Sequence, residues 1–241
     1  MFERGSGPAL VVIPGFPGPW QFAAPAVHAL SAHFHVLAMS LGAEGTLEGE
    51  VNRIVACLDQ RGIDRAVICG ISFGGLIAAR FAATHPERTS ALVLVSSPGP
   101  GTRLRARHRF YLRLPWLFGP LFLIETPFRL RRELHWSQIA ALLTTRISLS
   151  AMARRARVIE STDIAADCRR IVAPTLVVTG EARLDPVVPV ANTLEYLRAI
   201  PGAQHAVLQG TGHLGSVTRS AEFAEVVRTF VARSAPHKEV A

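Results

Sequence analysis

A single serine set among glycines is where the residue types and spacing of this chain first suggest chemistry. In "CGISFGGL", residues 69–76, the pattern Gly70-x-Ser72-x-Gly74 separates an apolar, β-branched run from a helical one. A sharp strand-to-helix turn drives the backbone into an unfavourable conformation and brings strand and helix against side chains two positions either side of its apex. Glycine at those positions removes the collision. Such a turn would hold the Ser72 hydroxyl above the carboxyl edge of a sheet, with the N–H groups of a helix starting near Phe73 facing any negative charge that develops there. A phosphate-binding turn is the rival reading. It would need the GxGxxG glycines or a Lys-Ser/Thr ending, and neither is present.

A serine hydroxyl attacks poorly without a base, and the base works best when an acid orients it. Of the nine histidines, His213 stands out because "QGTGHLGS" is a polar, glycine-rich loop between the last apolar strand pattern and the last helix. The others lie in helical, strand, arginine-rich or tail contexts. Two carboxylates, Glu181 and Asp185, follow another strand pattern in "LVVTGEARLDPVVP". Asp185 is preferred because its loop could reach across to His213, whereas Glu181 is placed to bind loop backbone. A fourth component follows the first strand pattern, where "IPGFPGPW" (13–20) contains Gly15 and so permits close backbone approach. The N–H groups of Phe16 and Phe73 could there bind an oxyanion, each such donor typically contributing ~3 kcal/mol in a transition state.

The elements that must position these groups are legible as an alternation. Apolar runs at 9–13, 35–39, 66–70, 91–96, 175–180 and 203–208 are separated by helical patterns near 21–31, 47–60, 74–84, 190–199 and 221–233, with Ser220 as N-cap of the last. Nearly continuous apolar strands alternating with helices predict a doubly wound, mostly parallel α/β sheet covered on both faces. Residues 99–170 break the alternation. They read as short helices punctuated by Pro100, Pro115, Pro120 and Pro127. The organisation expected is a core of 1–98 and 171–241 with an inserted helical cap at 99–170.

With these motifs in hand, the chain resembles the α/β-hydrolase superfamily over nearly its whole length. The resemblance rests on "PGF" (14–16), "GISFGG" (70–75), "ALVLVSSP" (91–98), "TLVVTGEARLDPVVP" (175–189) and "GTGH" (210–213). It implies Ser72 as nucleophile, His213 as general base and acid, Asp185 as triad acid, and Phe16 and Phe73 as oxyanion donors. It also implies a serine hydrolase that cleaves carboxylic esters through an acyl-enzyme, without metal or organic cofactor. Carbon–carbon bond hydrolysis, lactone opening and acyl transfer are alternatives on the same triad; a non-catalytic binding protein and a membrane-associated lipase are rivals of other classes. Three departures are visible: the chain starts at what would be the family's third strand, so its N-terminal strands are expected to be truncated; Pro14 replaces the customary histidine; and the acid loop is slightly longer.

Charge and composition bear on partners. The net charge is +8, yet 14 arginines against 5 acids fall within Gly99–Arg170, so the whole surplus belongs to the insertion. Within it, "YLRLPWLFGPLFLIETPFRLRREL" (111–134) concentrates Trp116, Leu117, Phe118, Leu121 and Phe122 between arginines. These five are the candidate substrate-binding wall for a hydrophobic acyl or aryl group, the bland alternative being that they dock the cap. The same basic, apolar stretch makes weak membrane-surface association an expectation. "MARRARVIE" (152–160) reads as a solvated helix face, and with no reader motif nucleic-acid binding is not expected. Cys57, Cys69 and Cys168 are odd in number, far apart and without CxxC, which suits a reducing cytoplasm. No signal peptide is expected from the first residues, and no apolar run reaches the ~18 residues of a membrane span.

Overall fold

The computed structural model describes residues 1–43, 45–113, 120, 121, 125, 130, 133 and 135–234. Seven strands form one sheet: β1 (Phe2–Arg4), β2 (Ala9–Ile13), β3 (His35–Ala38), β4 (Ala66–Ile71), β5 (Thr89–Val95), β6 (Thr175–Thr179) and β7 (Gln204–Val207). Their order is β1-β3-β2-β4-β5-β6-β7. Every neighbouring pair is parallel except β1 with β3, which is antiparallel through Phe2 opposite Ala38. β1 has no counterpart in the sequence reading, because three residues with two charged side chains carry no strand pattern.

The near-continuous apolar runs are explained by the two faces of the sheet. Along β2, Val11 and Ile13 join one buried cluster while Leu10 and Val12 join the other. On the first face lie α2 (Leu47–Asp59), α3 (Gly74–Thr84) and α8 (Val190–Ala199), contributing among others Ile54, Ile77 and Tyr196. On the second lie α1 (Ala24–Leu30) and α10 (Ser220–Ser234), the latter preceded by the short α9 (Gly215–Thr218); α1 and α10 contribute Val27, Leu30, Phe223, Val227 and Phe230. Period-two alternation therefore feeds two cores at once, and no position along such a strand can be polar without a partner. Cys69, fully buried on β4, behaves as a small apolar side chain; burial pushes its thiol up to about 12. Ser220 is the first residue of α10 rather than its cap.

Among the described residues, 99–170 contributes helices and no strand: α4 (Ala106–Tyr111), α5 (Trp136–Thr144), α6 (Leu149–Ser161) and α7 (Ala165–Cys168). Residues 152–160 do not form the solvated helix face expected of them. On α6, Ala151, Met152, Ala153, Arg155 and Ala156 are buried, and Met152, Ala153 and Ala156 belong to the main core cluster. Arginines at 154, 155 and 157 look alike in sequence, but helical spacing turns only Arg155 inward. No helix among the described residues is long and apolar enough to cross a membrane.

The strand order explains where a site can form. From β2 the chain moves outward to β3, then returns to the other side of β2 for β4 and proceeds to β7. The loops after β2 and β4 thus diverge and leave a crevice at their carboxyl ends, the usual ligand position in open α/β sheets.

Candidate active site

Ser72 stands in that crevice, directly after β4. Its φ is +53°, a left-handed conformation that a non-glycine residue seldom adopts. The Ser72 N–H donates to Val95 O at 2.8 Å, and its carbonyl accepts from Gly75 N at 2.9 Å, so the turn is tied to β5 and to the first turn of α3. The glycine requirement read from the sequence is visible as contacts. A Cβ on Gly70 would lie 2.4 Å from Gly74 O, and one on Gly74 would lie 2.3 Å from Ile13 O.

Three side chains from three strand ends then meet. His213, in the loop after β7, places Nε2 3.1 Å from Ser72 Oγ. Its Nδ1 lies 3.0 Å from Oδ2 of Asp185, in the loop after β6. Asp185 is held in turn, because its Oδ1 accepts from Val187 N at 2.9 Å and Val188 N at 3.0 Å. Glu181 is elsewhere: it accepts from Gly210 N at 2.7 Å and from Arg183 at 2.8 Å, bracing the two loops against each other. Those bonds, from the Gly210 amide first and then Arg183, hold its carboxyl below the usual range. The structure therefore brings together Ser72, Asp185 and His213 and leaves Glu181 on loop backbone.

The imidazole is buried, and burial works against its charged form. The Asp185 charge and hydrogen bond, with a smaller contribution from Glu133, outweigh that penalty and leave His213 above the ordinary histidine value. Glu133 lies between β5 and β6 in the chain and accepts from Gly212 N and Leu214 N, the amides on either side of His213. A hydroxyl, an imidazole and a carboxylate in this line can move a proton off Ser72 and return it to a departing group.

Phe16 and Phe73 flank the serine from the ends of β2 and β4, their rings edge to face at 6.1 Å. Both line, with Ser72, a cavity of about 130 Å³. Leu104, Ile159, Val187 and Val188 form its apolar wall, and His108 and Glu125 add a polar side. Of the candidate wall residues, Trp116, Leu117, Phe118 and Phe122 lie outside the described residues. Leu121 is half-buried and is not part of this wall.

The family model described as "Alpha/beta hydrolase family" matches residues 10–226. This chain belongs to that family. It is 30% identical over 199 residues to the 2-hydroxymuconate semialdehyde hydrolase of Pseudomonas putida, covering 76% of this chain and 68% of that one. It is 27% identical over 244 residues to a candidate carbamate hydrolase of Stutzerimonas stutzeri (strain A1501), covering 91% and 90%. The enol-lactonase from Burkholderia xenovorans LB400 shares its fold with a TM-score of 0.81 at 22% identity, over 96% of this chain and 95% of that one.

In this alpha/beta hydrolase, four residues near the site carried no usable signal in the sequence. His108, dismissed for its arginine-rich surroundings, lines the cavity beside Glu125, and burial followed by the charge of Arg107 keeps its imidazole below the ordinary value. Glu133 and Arg155 bond to loops 79 and 139 residues distant in sequence. No local pattern reports a contact of that range.

Proposed function

We propose that this alpha/beta hydrolase cleaves carboxylic esters through an acyl-enzyme on Ser72. The observation that carries the reading is the chain of contacts Ser72 Oγ to His213 Nε2 at 3.1 Å and His213 Nδ1 to Asp185 Oδ2 at 3.0 Å, set in the sheet's crevice. His213 Nε2 takes the Ser72 proton as Oγ attacks the ester carbonyl. The N–H groups of Phe16 and Phe73, residues that line the cavity with Ser72, are the donors assigned to the oxyanion in this reading. Collapse expels the alcohol, which takes its proton from His213; water then attacks the acyl-enzyme with the same imidazole as base.

The cavity sets the acyl group. An apolar space of ~150 Å³ accepts a guest the size of benzene. The 130 Å³ beside Ser72 therefore favours a short acyl chain or a single ring. Hydrolysis of p-nitrophenyl esters from acetyl to lauroyl by wild type and Ser72→Ala tests this. Activity should peak at the short end and vanish in the variant; a lauroyl optimum or an active variant would overturn the reading. A second reading, carbon–carbon bond hydrolysis, is favoured by the 30% identity to the Pseudomonas putida enzyme. Consumption of 2-hydroxymuconate semialdehyde, with p-nitrophenyl esters untouched, would support it instead.

A further inference from the structure

We propose that Arg155, carried by the inserted segment, is the positioning residue of the oxyanion site, so that the site is complete only while α6 is docked on the core. This inference rests on the ester-cleaving reading above and adds to it a dependence on the insertion.

The loop bearing the Phe16 N–H is glycine-rich and is held in part by bonds from outside it, Leu41 N donating to Gly18 O at 2.9 Å. It contains Gly15 and Gly18, the latter with φ of +104°, and glycines confer many accessible conformations. One internal bond, Gly18 N to Gly15 O at 3.1 Å, closes its turn. The guanidinium of Arg155 supplies the cross-brace. Its Nη1 donates to Phe16 O at 2.9 Å and Pro17 O at 3.2 Å, and its Nη2 donates to Gly42 O at 3.1 Å. Arg155 holds the peptide units that follow the Phe16 Cα, while the turn bond from Gly18 N to Gly15 O holds the unit that carries the Phe16 N–H; with both sides of the Cα restrained, that N–H has little freedom to turn away from the oxyanion. A planar fork reaching three carbonyls on two loops is a task suited to arginine rather than lysine.

The brace is anchored at both ends. Arg155 is 3% exposed on a helix whose Met152 and Ala153 lie in the main core cluster. Gly42 is gripped from the other side by Glu50, whose Oε1 accepts from its N–H at 2.6 Å while Oε2 binds Arg53 at 2.6 Å. Gly18 has room for the guanidinium only because it lacks a side chain, since a Cβ there would stand 2.8 Å from Nη1. Arg154, one residue away, binds Ala43 O at the surface and reaches neither Phe16 nor Pro17.

The test compares wild type, Arg155→Ala, Arg155→Lys and Arg154→Ala in the full chain. Three quantities are read: kcat/KM for p-nitrophenyl acetate, inhibition by a trifluoromethyl ketone that forms a hemiketal oxyanion on the serine, and inhibition by the matching methyl ketone that does not. Thermal melts report folding. Loss of a correctly aimed oxyanion donor lowers the rate ~100-fold. Arg155→Ala should show that fall in kcat/KM and an equal weakening of the trifluoromethyl ketone, with the methyl ketone unchanged. Arg155→Lys should fall less, and Arg154→Ala should match wild type. If Arg155→Ala does not fold, Arg155→Lys decides. A folded lysine variant with wild-type rate and ketone affinity overturns the inference, as does equal weakening of both ketones. Fluorophosphonate labelling separates the two levels. A wild type unlabelled at Ser72 and inactive on esters overturns the ester reading and this inference with it; a labelled, active wild type beside an indifferent Arg155→Lys overturns the inference alone.

Discussion

Asp185→Asn is the sharpest probe of the triad, because the structure dictates how the new amide must sit. Oδ1 of Asp185 accepts from the N–H groups of Val187 and Val188, while Oδ2 faces His213 Nδ1. Turning the Asn NH2 toward the two valine amides would strand two buried donors, at ~1–3 kcal/mol each. The amide nitrogen is therefore confined to the Oδ2 position, where it donates to Nδ1. The imidazole must then carry its proton on Nε2 and point an N–H, not a lone pair, at Ser72 Oγ. A triad held in the wrong tautomer loses ~10⁴ in kcat, which corresponds to ~5.4 kcal/mol at 1.36 kcal/mol per decade. Steady-state kinetics on p-nitrophenyl acetate measure the loss, and a thermal melt shows that the isosteric variant stays folded. Glu181→Gln serves as the contrast and should stay near wild type, since Glu181 binds Gly210 and Arg183 and not the imidazole. A loss below about tenfold for Asp185→Asn, or an equal loss for Glu181→Gln, would refute the assignment of the acid.

Three further variants or conditions probe the imidazole and the turn. The base must be neutral to act, and His213 holds its proton above the ordinary histidine value; the acidic limb of kcat/KM against pH should therefore have its midpoint above ~6.5. Glu133→Gln removes one of the charges that raises it, so that midpoint should move to lower pH, and a profile that stays put would discard Glu133 as a contributor. Gly70→Ala would press a methyl group to 2.4 Å from Gly74 O, a backbone atom that cannot swing aside. Overpacking of this kind costs ~1–3 kcal/mol or more, and a variant melting at the wild-type temperature would contradict the account of the turn.

The sequence by itself determined the sheet, the crevice groups and their order. Strands buried on both faces are apolar at nearly every position, so β2, β4, β5 and β6 appear as nearly continuous apolar runs, with Thr175 and Thr179 at the ends of β6. The turn at Ser72 has no room for side chains at positions 70 and 74, so its glycines mark it locally. Polar loops after strands β6 and β7 marked Asp185 and His213 for the same reason: each signal is contained within a few neighbouring residues. A short strand such as Phe2–Arg4 fell below that threshold, because its pairing with β3 rests on backbone bonds that any side chain permits.

Tertiary structure alone decided what distance in the chain conceals. Position in the loop favoured Asp185 over Glu181, but only folding set the one against the imidazole and the other against Gly210. Arg154, Arg155 and Arg157 were three like charges on one helix until packing buried Arg155 against Phe16 O and left its neighbours toward solvent. Glu133 met the amides beside His213, and His108 met the cavity of Ser72, only in the folded chain. Residue type and spacing report local backbone demands and the period of burial. Which distant carbonyl or amide a charged side chain satisfies depends on where the whole chain brings that group, and no window of the sequence contains it.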